Sequence, residues 1–136
     1  MRFFNLAAAV AVMVILLCAA AAEDATVAAP EHYRVEFEND LVRVVRVSYR
    51  PHEKSPMHDH QGNPAVIVSL KSGGRMHFMY PDGSTSEGKR EEAGTVRFMP
   101  ERTPFRHAGE DAADNPIEVI RIELKTATKV KECGAR

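Results

Sequence analysis

Cysteine is scarce in this chain of 136 residues: there are two, Cys18 and Cys133, and only Cys133 lies outside the apolar N-terminal stretch. Once that stretch is removed, no internal disulfide can form, so a packed core must hold the fold. The sequence also lacks a Gly-rich phosphate loop, a Ser/His/Asp spacing and a carboxylate pair flanking its histidines. Nucleophilic and paired-carboxylate catalysis therefore have no visible machinery, and any chemistry would have to be a metal's. Basic patches and aromatic-basic interleaving are missing too, which argues against a nucleic-acid partner. There is no convincing helical period and no internal repeat, so a helical bundle or a solenoid is excluded.

The N-terminus reads as a targeting segment. Arg2 gives a basic start, Leu6 to Ala22 runs without a charge, and Ala20-Ala21-Ala22 precedes the acidic pair Glu23-Asp24. That order is the pattern of an export signal cleaved after residue 22. An Ala-rich stretch of this length is short for a spanning anchor, so no membrane association is expected after cleavage, and the localisation is periplasmic or secreted. The chain has 18 basic and 19 acidic residues; losing Arg2 leaves 17 against 19, a nearly neutral domain. Residues 23–31 read as a linker, 32–126 as one domain, and 127–136 as a polar tail in which Cys133 is a tolerated exposed thiol.

The expected domain is all-β. Tyr33 to Glu38 alternates cleanly, Asn39-Asp40 is a turn, and Leu41 to Tyr49 is Val-rich. After the break Pro51 to Pro56, strands are predicted over Ala65 to Leu70, Arg75 to Tyr80, Ser84 to Glu91 as a polar edge, Thr95 to Met99 and Ile117 to Lys125. Gly73-Gly74 and Pro81-Asp82-Gly83 are turn signals. Turns at this spacing predict a sandwich or barrel.

His58-Asp59-His60 is the most informative local feature, since residues i and i+2 of a strand project from one face and two imidazoles there can share an ion. The best third ligand is His107. The order of turn, His-x-His, apolar strand, Gly-Gly turn, Pro-Asp-Gly hairpin, Gly94, Pro100 and His107 resembles a small single-domain cupin across residues 32–125. That resemblance implies a double-stranded β-helix, or jelly-roll barrel, with a metal in its interior. His58 and His60 match the first-motif histidine pair; Gly94, Pro100 and His107 match the second motif, with a gap from proline to histidine two residues longer than usual. The first-motif glutamate is missing, because Pro64 and Ala65 stand where it is expected.

What remains is a three-histidine set similar to the sites of thiol dioxygenases in the cupin superfamily. It implies a divalent metal ion, Fe(II) favoured and Zn, Mn, Ni or Cu acceptable by ligand type. It also implies a small-molecule ligand or substrate and a homodimer formed through an exposed strand. Pocket walls are expected from Val66, Val68, Phe78, Tyr80, Phe98 and Phe105, with Tyr80, Phe98 and Phe105 as ligand contacts. His77, His52, His32, Gln61, Arg97 and Arg106 are expected at the surface, and Asp111 in a turn. Two function classes stand: a metal-dependent oxygenase or dioxygenase acting on a small organic substrate, and a non-catalytic small-molecule-binding or structural module that has lost its metal.

Overall fold

In a computed structural model, which describes residues 23–100 and 105–125, strands form wherever β-branched and aromatic residues run between turn residues. The elements are α1 (Ala25–Ala28), β1 (Tyr33–Glu38), β2 (Val42–Tyr49), β3 (His58–His60), β4 (Ala65–Ser69), β5 (Met76–Met79), β6 (Thr85–Glu87), β7 (Val96–Met99), β8 (Phe105–Asp111) and β9 (Ile117–Leu124). They build a five-stranded sheet in the order β1-β2-β9-β4-β7 and a four-stranded sheet in the order β3-β8-β5-β6. Every pairing between strands is antiparallel.

The inward face of the larger sheet is set by β2. Val45, Val47 and Tyr49 are buried while Val44, Arg46 and Ser48 are only half-buried, the period-two pattern of a strand with one face on the core. Tyr33 joins that cluster from β1, and its hydroxyl accepts a hydrogen bond from Tyr49 at 3.1 Å. His32 was expected at the surface, but it is buried. Its ring stacks on Tyr49 with centroids 4.1 Å apart and planes 7° apart, and its Nδ1 and Nε2 meet the carbonyl oxygens of Ser48 and Lys54.

Residues 23–31, read as a linker, are instead part of the packed domain. Asp24 caps α1 through a hydrogen bond from the Thr26 amide, and Ala25 and Ala29 enter the core cluster. Small alanines allow this four-residue turn of helix to lie close against β1 and β3, a role that an Ala/Thr composition does not advertise. The polar strand expected over Ser84 to Glu91 shortens to Thr85–Glu87, because the chain leaves the ladder after Gly88, whose amide donates to the Met76 carbonyl. The segment around His107 was read as following a strand and is itself the long strand β8. The export segment 1–22, the tail after residue 125 and both cysteines lie outside the described residues. Among the described residues, no helix is long and apolar enough to cross a membrane.

Candidate metal centre

The three histidines singled out in the sequence come together on adjacent strands of the smaller sheet. β3 puts His58 and His60 on one face, both buried, and its antiparallel register sets His58 directly opposite His107 on β8. The ring centroids are 5.0 Å apart for His58 and His60, 4.7 Å for His58 and His107, and 4.9 Å for His60 and His107. One nitrogen from each ring lies within 4.8 Å of the others, and among the described residues no carboxylate joins the group. Pro64 and Ala65, at the positions of the missing glutamate, lie before and at the start of β4 and supply no donor.

The donor set fits a divalent ion. His58 Nδ1 donates to the Pro56 carbonyl at 2.8 Å, which fixes the tautomer and leaves Nε2 as a lone-pair donor. That Nε2 is buried and has no hydrogen-bond partner, a state that costs free energy unless something else occupies the lone pair. Three nitrogens each about 2.1 Å from one ion stand about 3.0–3.6 Å apart, so the triad would draw in by roughly 1–2 Å to bind.

Burial is also what keeps these rings neutral. It depresses the pKa of His60 to about 2, assisted by the positive charge of Arg121, and that of His107 to about 3, assisted by the neighbouring imidazole of His58 and by Arg121. His58 is lowered as well, again by burial, against the pull of the Pro56 carbonyl. An imidazole must be neutral to coordinate, so the folded chain presents these three histidines in a form compatible with metal binding.

His60 and His107 form part of the wall of a cavity of about 440 Å³ between the two sheets. Tyr80 lines it, together with Phe78, Met76, Ile67 and Val119. Phe78 packs edge-on against His107 at 5.0 Å, and Tyr33 sits 4.8 Å from His58 and 5.8 Å from His60. Phe98 is not in the wall. It is 63% exposed on the outer face of β7, and Val66 and Val68 face the same way on β4, while Ile67, Ser69, Arg97 and Met99 face the cavity. Both faces of Ala65 to Val68 are apolar, so the sequence carries no parity signal there, and on β7 sending the apolar Val96 and Phe98 inward puts the alternating Arg97 outward, the reverse of what the structure shows. The backbone of Phe105 pairs with His60, but its side chain lies outside the described part of the structure.

Arg97 lies at the cavity mouth in an ion pair with Glu91 at 2.6 Å, and Ser69 Oγ bonds the same carboxylate. His77 and Gln61 stay outside the wall, His52 is exposed, and Arg106 stands 3.6 Å from Asp59. Asp111 closes a turn as expected, accepting from the Ala113 amide, but it does so fully buried.

Arg121 is the residue that the sequence analysis missed. It reaches the cavity from β9 of the larger sheet, is 8% exposed, and pairs through Nε with Glu123 at 2.8 Å. Glu123 also takes Arg43 Nε at 2.6 Å, and Arg43 binds both oxygens of Asp24. The available signal was a charged alternation, Arg121 and Glu123, inside an apolar strand; it reads as a solvated face until the other face proves to be apolar and open.

No protein-family model matches the chain, and no curated protein matches it in sequence. Solved structures do match. A cupin domain from Bordetella pertussis superposes with a TM-score of 0.56 at 21% identity, covering 69% of this chain and 92% of that one. An uncharacterised protein with a double-stranded β-helix domain from Klebsiella pneumoniae gives a TM-score of 0.46 at 16% identity over 68% of this chain and 76% of that one. The order of the strands, the two facing sheets and the first of these likenesses make the chain a single domain with the cupin fold.

Proposed function

We propose that the protein is exported, binds one divalent metal ion through His58, His60 and His107, and holds a small organic molecule beside it in the cavity between the sheets. The observation that supports this most directly is the convergence of three buried, neutral imidazoles, one with its tautomer fixed and its Nε2 without a hydrogen bond. Fe(II) is the favoured ion, and with three protein ligands it would leave open positions for O₂ and a substrate donor atom, which suits an oxygenase or dioxygenase. The chain's own part is to exclude water behind Tyr33 and Phe78, to hold the imidazoles neutral, and to offer Arg121 to an anionic group of the ligand.

The test is elemental mass spectrometry on protein purified without added metal, then after anaerobic loading with Fe(II), beside a His58→Ala, His60→Ala variant. About one equivalent of metal in the parent and none in the variant supports the site. No metal in the parent under either condition overturns it. Mass spectrometry of the same sample reads the N-terminus, and a chain that begins at Met1 when recovered from an exporting host overturns the export reading.

One observation favours a second reading. Arg121 is a buried cation on the cavity wall, and the carboxylate common at such metal sites is missing, so the cavity also suits an anionic small molecule without metal. In that case a non-catalytic binding module would be stabilised by its ligand in metal-free buffer.

A further inference from the structure

A row of buried hydroxyls runs through the core and ends at the cavity. It begins on β8, where the Gly109 amide donates to Ser55 Oγ at 3.0 Å. Having accepted that bond, Ser55 has its own hydrogen to give, and it bonds the Tyr49 hydroxyl. Tyr49 donates in turn to the Tyr33 hydroxyl at 3.1 Å. The first two hydroxyls lie tight over Gly109, where a Cβ would stand 3.2 Å from Tyr49 Oη and 3.4 Å from Ser55 Oγ. Ser55, Tyr49 and Tyr33 are all buried, and in such surroundings each bond polarises the next.

The direction of these bonds leaves one hydrogen over, on Tyr33 Oη. Each hydroxyl accepts from the group before it and donates to the one after it, and among the described residues no acceptor follows Tyr33. Tyr33 belongs to the cavity wall, so an acceptor must come from within the cavity if the hydrogen is not to stay buried and unpaired. Burial first, and then Tyr49, holds its pKa well above that of an ordinary phenol, which keeps it a neutral donor. Arg121 faces the same corner. Tyr33 pairs with Val47 and Arg121 with Val45, the inward residues of β2 two positions apart. Two strand spacings across and two residues along set the Cα atoms of Tyr33 and Arg121 about 12 Å apart. The guanidinium charge acts on the Tyr33 hydroxyl as it does on His60 and His107. Its Nε is taken by Glu123 and its Nη1 stands 3.7 Å from Met99 Sδ, while Nη2 is bonded to no group among the described residues.

We propose that Tyr33 Oη and the open edge of Arg121 form a two-donor clamp for the carboxylate of a small, otherwise apolar molecule. This rests on the cavity holding an organic ligand, and it adds the class of that ligand and the residue that selects it. Arg121 already shares its charge with Glu123, and Tyr33 is neutral, so the corner matches one negative charge spread over two oxygens rather than a phosphate dianion. Ile67, Met76, Phe78 and Val119, which line the same cavity, are apolar and suit the body of such a molecule. An ammonium group brought to this corner would meet two donors and a like charge, so the matching amine is rejected.

The test is isothermal titration and ultraviolet difference spectroscopy on metal-free protein in chelator, with hexanoate, hexylamine and hexyl phosphate as probes. None of the probes absorbs in the tyrosine band, and the chain has three tyrosines and no tryptophan, so that band reports the phenol hydroxyls. Hexanoate should bind, the amine and the phosphate about 10-fold or more weakly, and hexanoate alone should shift the band to the red as Tyr33 donates to it. Tyr33→Phe should weaken hexanoate by about 10-fold or more and abolish the red shift, its fold checked by circular dichroism. Should that variant not fold, Tyr80→Phe decides, because the red shift must survive it. Hexanoate bound without a red shift, or bound equally well by Tyr33→Phe, overturns the proposal. So does a red shift that persists in Tyr33→Phe or vanishes in Tyr80→Phe, and so does an amine or phosphate that binds as tightly as hexanoate. Binding by none of the three overturns it too, and leaves the histidine site to be judged by its own metal content.

Discussion

Burial of charged and chargeable groups gives individual residues their leverage here. His60 and His107 have folded-state pKa values of about 2 and about 3, far below the 6.5 of a free imidazole. Their folded pKa is depressed, so the metal-free unfolded chain binds protons that the folded chain refuses. Stability is therefore fully present above pH 6.5 and falls as pH drops toward 3, by up to about 1.4 kcal/mol per pH unit for each ring. Urea denaturation of the metal-free protein at pH 7 and pH 5 should show that loss, and His107→Gln should flatten part of it. A stability equal at the two pH values would mean that the rings are not held neutral. The same neutrality should keep metal affinity nearly level from pH 8 to pH 5, where free imidazoles would lose it, provided the fold persists. Arg121→Met removes one of two cations on Glu123 and should destabilise the fold by about 1–3 kcal/mol, measured by thermal unfolding, because Arg43 still compensates the buried carboxylate.

Turns and short segments decide where the elements sit. The Gly73-Gly74 turn was legible in the sequence, and the structure gives its cause. A Cβ on Gly73, at φ 92°, would approach Asn115 Nδ2 to 2.6 Å, and one on Gly74 would come within 2.3 Å of Ile117 Cγ1. Gly74→Ala should therefore lower stability by about 1–3 kcal/mol in a denaturant titration, whereas Gly83→Ala meets no atom and is limited to the strain of φ 82°. The segment before β1 was not legible. Alanines at 25 and 29 look like spacer composition, and only the capping bond from Asp24 and the pairing of Arg43 with Asp24 make them part of the core. A chain that starts at His32 should unfold at a lower temperature than one that starts at Glu23. Equal midpoints would return residues 23–31 to the status of a linker.

For the whole molecule, the all-β class and the His58-His60 pair could be read directly, because strand alternation and the i, i+2 spacing are local signals, whereas His107 was reached through the motif resemblance and is brought to them by the pairing of β3 with β8. The partition of β4, β7 and β9 between inside and outside could not. Parity is deduced by sending apolar residues inward, and in this sheet the outward face is apolar as well, so Phe98 and Arg97 exchange sides. Arg121 was hidden by the same assumption. It and the histidines come from different sheets: His58, His60 and His107 from β3 and β8, Arg121 from β9. A molecule that ligates at one wall and pairs with the guanidinium at the other would act as a cross-link between the two halves of the barrel. Heat resistance would then report occupancy, rising by about 2.7 kcal/mol of stabilisation at a hundredfold excess over Kd. A melting-temperature screen of small carboxylates and other organic anions would find a partner for this cavity before any reaction is known.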